Sequence, residues 1–182
     1  MAPFYTGQGD AGDTGYLGKG RISKSSLRIE AVGSVDEATA AIGLARSLTS
    51  VALIGERLLE IQKQLYQLMS ELAADPENAA LFNSITSEHI LGLEQTIAEL
   101  ENTTNMPREF IIPGASPASA ALSLARTVVR RAERRVVELF ESGGITRTEP
   151  GAYLNRLSSL LFVMEVAESA SSGDGVQLAK EA

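Results

Sequence analysis

Apolar residues recur at three- and four-residue spacings along most of the chain, which is the period of an amphipathic α-helix. The pattern is clearest over residues 51–74, with apolar positions at Leu58, Ile61, Leu65, Leu68 and Leu72. It predicts a helix over 27–48 that carries Ile29, Val32, Val35, Ile42 and Leu44. A further helix over 118–141 places on one stripe Leu122, Ala125, Val129, Ala132, Val136 and Phe140.

Two more helices, from 86 or 87 to 101 and from 149–150 to 171, complete the set, and no strand pattern competes with them. Thr86 and His89 are too poor a match for a full capping box where the third helix opens. Because each stripe must be buried against the others, the sequence predicts an all-α fold, a five-helix bundle in a single domain, 1–182. The bundle spans 27–171, a glycine-rich irregular loop spans 1–26, and a flexible tail spans 172–182.

Length and composition narrow the class of protein. At 182 residues the chain is long enough to bury a core without a metal or disulfides. We find no apolar run of 18 residues and no signal-peptide pattern, so we expect a cytoplasmic protein. With no cysteine and one histidine, His89, the sequence excludes a thiolate nucleophile and a multi-histidine metal centre. A net charge of −7 argues against a broad nucleic-acid surface, so an anion site must be local.

The helix predicted over 118–141 carries five arginines within ten positions, at Arg126, Arg130, Arg131, Arg134 and Arg135. At about 100° per residue, Arg126, Arg130 and Glu133 border the apolar stripe. Arg131 and Arg135 fall nearer the far side, where a solvated arginine is the ordinary expectation. Arginine grips phosphate through its planar fork, so one interpretation is an anion site. The other is a set of exposed ion pairs with Glu133, Glu138 and acidic neighbours.

The last predicted helix is strongly apolar, yet it places Asn155 and Ser159 one turn apart on the same face, with Arg156 beside them. These polar residues are candidates for a binding site. Alternatively, Asn155 is a buried amide whose hydrogen bonds fix the register of the helix. The sequence alone leaves both interpretations open.

Residues 1–26 contain six glycines, and residues 7–12 match the dinucleotide-binding pattern G-x-G-x-x-G. We reject that interpretation, because no strand precedes the pattern and more glycines follow it. Lys19 does not mark a Walker A loop, since no serine or threonine follows it. Backbone amides of such a loop can nevertheless form an anion-binding nest. Side chains that would add donors to it are Thr6, Lys19, Arg21 and Lys24; a flexible tail is the alternative.

Four segments in the same order resemble the PduO-type ATP:cob(I)alamin adenosyltransferase family across nearly the whole chain. Residues 5–10 and 18–24 are similar to the nucleotide loop of the family, and residues 30–37 are similar to the segment that follows it. Residues 110–114, 125–127 and 130–134 resemble the central motif, and residues 153–158 resemble the last. One segment alone is a weak signal, but four in order are specific.

The resemblance implies a homotrimer of five-helix bundles with ATP between adjacent subunits. The residues it assigns to ATP are Thr6, Gly7, Gly9, Asp10, Lys24, Arg130, Glu133 and Asn155. It implies that Asp36 pairs with Arg126 across the subunit boundary, which places Arg126 at the site as well. Phe110 would lie against the corrinoid and help to exclude the lower axial ligand from cobalt. Arg130, Asn155 and Phe110 are the residues it connects most directly with catalysis.

The implied reaction is attack by Co(I) of cobalamin on the 5′ carbon of ATP, with triphosphate leaving and Mg²⁺ held by the phosphates rather than by side chains. Such chemistry needs no protein nucleophile or general base. The resemblance also implies a reductase or an adenosylcobalamin-dependent mutase as a partner, and no nucleic acid or membrane. The protein's own tasks are to position two reactants and to neutralise the departing triphosphate.

The chain departs from the family pattern at three places. Ser159 stands where aspartate is usual, Ala38-Thr39 where Leu-Asn is usual, and Glu165-Val166 where Ala-Arg is typical. The main alternative is therefore a non-catalytic ATP- or cobalamin-binding carrier or sensor of the same fold. A third interpretation is a structural bundle whose arginines form only surface ion pairs.

Overall fold

A computed structural model of the chain describes residues 5–173 and 175–180. Its five α-helices are α1 (Leu27–Leu48), α2 (Ala52–Ala73), α3 (Ser87–Thr103), α4 (Pro117–Glu141) and α5 (Glu149–Ser171). A short 3₁₀ helix at Ala79–Phe82 follows α2. The predicted all-α, five-helix bundle is confirmed, and helix ends fall within about two residues of the expected boundaries, the usual uncertainty of such assignments.

The helices pack so that α4 lies between α1 and α5, while α2 covers α1 and α3 covers α5. Every apolar position of the clearest stripe, on α2, is at most 3% exposed. Burying one such side chain stabilises the fold by about 1.5–3 kcal/mol relative to leaving it in water. No helix in the described part of the chain is both long enough and apolar enough to cross a membrane.

Two apolar positions expected in the stripes are instead exposed. Leu44 is 48% exposed, because it lies about 200° around α1 from the fully buried Ile42 and so points away from α2 and α4. Phe140, in the last turn of α4, is 39% exposed and lines a cleft rather than the core. The other five positions of the α4 stripe are buried as expected.

Capping side chains explain where three of the helices begin. Ser26 accepts from the Ile29 amide at the start of α1, over 3.4 Å. Ser116 and Ser119 cap each other at the start of α4, and proline follows at the first helical position. The expectation that Thr86 and His89 do not form a capping box is wrong, since His89 Nδ1 accepts from the Thr86 amide over 3.2 Å. The imidazole nitrogen of His89 accepts this hydrogen bond in place of the glutamate carboxylate that is usual at this position.

Part of the N-terminal loop is a hairpin, which corrects the expectation of a wholly irregular segment without strands. Strand β1 (Asp13–Gly15) pairs antiparallel with β2 (Arg21–Ser23). Strands of three residues are too short to show the period-two alternation by which a strand is recognised in sequence. The hairpin gives the glycine-rich segment a defined shape.

A second strand pair brings the chain's far end to the connector before α4. Strand β3 (Ile111–Ile112) pairs antiparallel with β4 (Gln177–Leu178), and the Ala179 amide donates to the Phe110 carbonyl over 2.7 Å. Part of the segment expected to be a flexible tail therefore has a defined partner. Flexibility itself stays a prediction, and residues 174, 181 and 182 lie outside the described part of the chain.

Arg28, which sequence reasoning missed, is buried at the N-terminal end of α1 and donates only to backbone carbonyls. Nη1 donates to Leu72 O over 2.6 Å, and Nη2 donates to Gly144 O after α4. A cation at the carbonyl ends of helices is favoured by their macrodipoles. Arg28 thus fastens the ends of α2 and α4 to the start of α1, and it lies 6.0 Å from the ring centroid of Tyr16 in the N-terminal loop.

An ion pair between the buried Glu71 and the half-buried Arg147 joins α2 to the turn before α5. Glu71 is 6% exposed, and its Oε1 accepts from Arg147 Nη1 over 2.7 Å. Its Oε2 accepts from the amides of Ser84 and Ile85. Because both carboxylate oxygens have partners, we interpret this pair as structural rather than catalytic.

Candidate functional site

Lys24 connects two parts of the glycine-rich loop through its side chain and its backbone. Lys24 Nζ donates to the Gly9 carbonyl over 2.7 Å, and its backbone amide donates to the Gly12 carbonyl. A Cβ at Gly9 would lie 2.9 Å from Nζ, so a side chain there would displace the lysine. The sequence-predicted residues Gly9 and Lys24 are therefore brought together.

Thr6, Gly7 and Asp10 lie on the open side of the same loop and are exposed. The Asp10 amide donates to the Gly7 carbonyl over 3.2 Å, and Gly7 has a φ of +68° that favours glycine. The Gln8 amide donates to the Thr6 hydroxyl over 3.4 Å, so the turn is closed by its own hydrogen bonds while its side chains stay exposed.

Arg21, a candidate donor to an anion, is already engaged. It forms two short hydrogen bonds with the Asp13 carboxylate, of 2.7 and 2.8 Å, and a third with the Gln8 carbonyl. The hydrogen bond from Arg21 holds the pKa of Asp13 below its ordinary value. Arg21 therefore stabilises the hairpin, and Lys24 is the better candidate for contact with a phosphate.

Asp75, directly after α2, anchors the loop to the bundle. Its Oδ2 accepts from the Lys19 amide over 2.9 Å, and a Cβ at Gly18 would lie 1.8 Å from that oxygen. Hydrogen bonds from the Asn78 side chain and then from the Lys19 amide lower the pKa of Asp75. Lys19 thus serves the loop through its backbone.

Four of the five arginines of α4 divide into two groups, and the fifth, Arg134, donates to the Arg130 carbonyl over 3.0 Å. Arg131 pairs with Glu37 on α1, and Arg135 pairs with Glu138 over 2.7 Å and with Glu30 over 3.5 Å. These exposed pairs contribute little stability each. For this group the ion-pair interpretation made from the sequence is correct, although most of the glutamates lie on α1.

Arg126 and Arg130 form the other group, on the face of α4 toward α3. Together with Ser159 and Phe162 of α5 they line a cleft of about 460 Å³. Neither has an ion pair or a side-chain hydrogen bond among the described residues, and Arg126 Nε is buried without a partner. Two guanidinium groups one helical turn apart therefore remain available to an anion.

Glu133 and Asn155 belong to one hydrogen-bonded chain across three helices. Asn155 Nδ2 donates to Glu133 Oε1 over 2.9 Å, and Asn155 Oδ1 accepts from Arg156 Nη1 over 2.8 Å. Arg156 in turn donates to Glu94 on α3 over 2.7 Å. Asn155 is half-buried at the edge of a cleft of about 410 Å³ between α4 and α5. Its side-chain amide therefore has hydrogen-bond partners and is also accessible from the cleft.

Phe110 presents its ring almost entirely to solvent, at 88% exposed. It stands at a cleft of about 450 Å³ that is also lined by Arg126, Phe162 and Glu165. Exposing a whole phenyl ring costs hydrophobic free energy that contact with a flat apolar partner would recover. The exposed ring of Phe110 is therefore a candidate contact for a flat apolar ligand.

Glu165 forms part of the wall of the Phe110 cleft and is 1% exposed. Burial raises the pKa of its carboxyl above the ordinary value, while the Ser123 hydroxyl and the Arg126 guanidinium act in the opposite direction. Its Oε2 has no hydrogen-bond partner in the described part of the chain.

Within one chain the loop and the free arginines are held apart. The loop is anchored near Asp75, and Arg28 connects that end of the molecule to Gly144. Arg130 lies almost four turns back along α4, about 20 Å away at 1.5 Å per residue. Asp36 is exposed on α1 and forms no ion pair among the residues described.

No cluster of three or more histidine, cysteine, aspartate or glutamate residues that could hold a metal occurs among residues 5–173 and 175–180. The acidic side chains of the candidate site are spread over separate contacts.

The chain belongs to the cobalamin adenosyltransferases, whose family model matches residues 4–168. A corrinoid adenosyltransferase from Citrobacter freundii is 39% identical over 165 residues, covering 90% of this chain and 93% of that protein. The corrinoid adenosyltransferase PduO of the same organism is 39% identical over 166 residues, but the chain spans only 49% of it.

Among solved structures, the chain is similar to a variant of a PduO-type ATP:corrinoid adenosyltransferase from Lactobacillus reuteri, complexed with cobalamin and ATP. The TM-score is 0.90 and the sequence identity is 29%, over 98% of this chain and 100% of the other. The resemblance found in the sequence is therefore confirmed.

Proposed function

We propose that this protein transfers the adenosyl group of ATP to the cobalt of cob(I)alamin, giving adenosylcobalamin and triphosphate. The observation that carries the proposal is the division of the α4 arginines, in a chain of this family. Arg131 and Arg135 are consumed by ion pairs, whereas Arg126 and Arg130 are free in a cleft. A free guanidinium suits a phosphate, and Arg130 would supply it, while Arg126 stays free for a partner across a subunit boundary.

In this reaction an electron pair of Co(I) attacks the 5′ carbon of ATP. A carbon–cobalt bond forms, the carbon–oxygen bond to the triphosphate breaks, and triphosphate leaves with that bond's electron pair. Cobalt is formally oxidised from Co(I) to Co(III). No proton moves, so the protein contributes position and electrostatic stabilisation, chiefly by cations placed where negative charge develops.

We place ATP between two subunits of a homotrimer, with the loop of one copy against α4 of its neighbour. The distance between loop and Arg130 within one chain supports this arrangement. The ATP contacts would come from Thr6, Gly7, Gly9, Asp10 and Lys24 of one copy and from Arg130, Glu133 and Asn155 of the other. The exposed, unpaired Asp36 would pair with Arg126 across the same boundary.

Mg²⁺ would be bound by the phosphate oxygens of ATP, which suits a site without a cluster of acidic side chains in the described residues. Bound there, it would neutralise part of the triphosphate charge. Arg130 and Lys24 would neutralise more, from opposite sides of the phosphate chain.

The corrinoid would occupy the cleft beside Phe110, with the exposed ring against the lower face of the macrocycle. A ring in that position occupies the space of a lower axial ligand. Loss of that ligand would make reduction of Co(II) to Co(I) easier. We further propose a cytoplasmic location, where ATP is available, with a reductase as supplier of electrons and an adenosylcobalamin-dependent mutase as acceptor.

The test is to mix the protein with ATP, Mg²⁺ and chemically reduced cobalamin and to follow the absorbance of adenosylcobalamin. Steady formation with release of triphosphate supports the proposal. Binding of ATP and cobalamin without turnover would identify a carrier or sensor instead. No binding of ATP by calorimetry, and no thermal stabilisation by saturating ATP, would contradict both.

A further inference from the structure

Two polar atoms in the wall of one cleft are buried without a hydrogen-bond partner. They are Oε2 of Glu165 and Nε of Arg126, and the described residues contain only one other such atom, on Gln62. Both residues line the cleft beside Phe110. An unpartnered buried polar group costs about 1–3 kcal/mol, so two in one place indicate that a ligand completes them.

The chemistry of the two atoms restricts that ligand. Arg126 Nε–H is a donor, and the Glu165 carboxylate is an acceptor. A carboxylate on the ligand would suit Arg126 but would place a like charge beside Glu165. An ammonium group on the ligand would suit Glu165 but would place a like charge beside Arg126. A primary carboxamide satisfies both, because its oxygen accepts and its NH₂ group donates.

This step rests on the proposed function, since a corrinoid carries primary carboxamides around the edge of its macrocycle. The cleft is about 450 Å³, beside the exposed Phe110 ring that would contact the face of the same macrocycle. An amide at the ring's edge can enter the wall while the ring itself lies on Phe110. The remaining donors of Arg126 stay free for Asp36 of a neighbouring copy.

We propose that Glu165 and Arg126 together bind one peripheral carboxamide of the corrinoid and select against a carboxylate at that position. Glu165 accepts from the amide NH₂ group, and Arg126 Nε–H donates to the amide oxygen. Glu165 is then a specificity-determining residue for the amidated corrinoid, and it does not take part in adenosyl transfer.

The experiment compares the binding of cob(II)alamin with that of its separated monocarboxylate derivatives, in each of which one edge amide is hydrolysed. Dissociation constants are measured at pH 8 from the change in the corrinoid spectrum, with ATP present and no reductant. For the wild-type protein we expect one derivative to bind about tenfold more weakly than cobalamin, the size of effect given by a mismatched buried polar group.

Glu165→Gln should reduce this discrimination to below about threefold, because a neutral amide no longer repels a carboxylate. Glu109→Gln is the matched control, since Glu109 lines the same cleft but is exposed, and it should leave the discrimination unchanged. Glu165→Ala gives a second variant if the glutamine form does not fold, as judged by circular dichroism.

Equal affinity of the wild-type protein for cobalamin and all its monocarboxylates would overturn the inference. So would equal effects of Glu165→Gln and Glu109→Gln. A wild-type protein that binds no corrinoid at all would contradict the proposed function itself. Binding and turnover of cobalamin without discrimination would contradict only the role of Glu165.

Discussion

Asn155 on α5 donates a hydrogen bond from its side-chain amide to the carboxylate of Glu133 on α4, over 2.9 Å. The bond joins the two helices that line the α4–α5 cleft. It also fixes Glu133 as an acceptor, so both side chains are held in one orientation before a ligand arrives. This hydrogen bond restrains the Glu133 carboxylate, which would otherwise be free to turn toward the phosphates at the proposed triphosphate site.

Asn155→Asp should disrupt this arrangement more than Asn155→Ala. Aspartate replaces a donor by a second carboxylate next to Glu133, which we expect to lower the free energy of unfolding by about 1–3 kcal/mol and to raise the KM for ATP. Alanine removes this bond and the one that Asn155 accepts from Arg156, but it adds no charge beside Glu133. Urea denaturation and steady-state kinetics measure both effects, and an aspartate variant as stable as the wild type would contradict the interpretation.

Arg130→Ala should lower turnover by about 10²–10³-fold, the usual cost of removing one preorganised charge contact from a transition state. Its stability should change by less than about 0.5 kcal/mol, because the side chain is exposed and unpaired among the described residues. Arg131→Ala is the matched control, since Arg131 is already paired with Glu37. Similar turnover in the two variants would refute the division of the arginines.

Gly18→Ala should loosen the N-terminal loop from the bundle. Gly18 has a φ of +128°, and a Cβ there would lie 1.8 Å from Oδ2 of Asp75. We expect a loss of about 1–3 kcal/mol in stability and weaker ATP binding. Gly15→Ala, at a loop position with open space and ordinary backbone, should change neither quantity appreciably. Calorimetric titration with ATP and thermal melting measure both.

The pKa of Asp75 predicts a pH dependence of stability. Hydrogen bonds hold that pKa below the ordinary 3.8 in the folded state. Stability from Asp75 is therefore fully present above about pH 4 and is lost as the pH falls through the lower folded-state pKa. The melting temperature of Asp75→Asn should lie below that of the wild type at pH 7, and the gap should narrow toward pH 3. A constant gap would exclude this linkage.

Arg147→Met should cost about 3–5 kcal/mol, because it leaves the buried Glu71 carboxylate without its charge partner. The double variant Glu71→Gln/Arg147→Met removes both charges and should recover much of that loss. Denaturation of the single and double variants measures the loss in the free energy of unfolding for each. An additive, larger loss in the double variant would show that the two residues act independently.

The helices could be predicted from the sequence because each buries a stripe long enough to show its period. The 22 residues of α2 give several turns of evidence, whereas each strand of the N-terminal hairpin has only three residues. The role of Arg28 could not be predicted from the sequence for another reason. Its partners are carbonyls 44 and 116 positions away, and any residue type could supply them.

The candidate site was predicted only in part. Helical geometry placed Arg126, Arg130 and Glu133 on one arc of α4, and the structure divides them between two clefts, with Glu133 in the α4–α5 cleft. Helical geometry could not show which arginines were consumed by glutamates, because that depends on how α1 lies against α4. The contacts proposed between copies stay predictions, since they require a second chain.

The pairing of β3 with β4 has a consequence for the order in which the molecule is built. The segment that carries Phe110 is paired with Gln177–Leu178, which follow all five helices in the sequence. On the ribosome, those five helices can begin to pack before β4 is synthesised. The ring proposed to meet the cobalt-bearing substrate is thus secured only after the whole bundle has been synthesised.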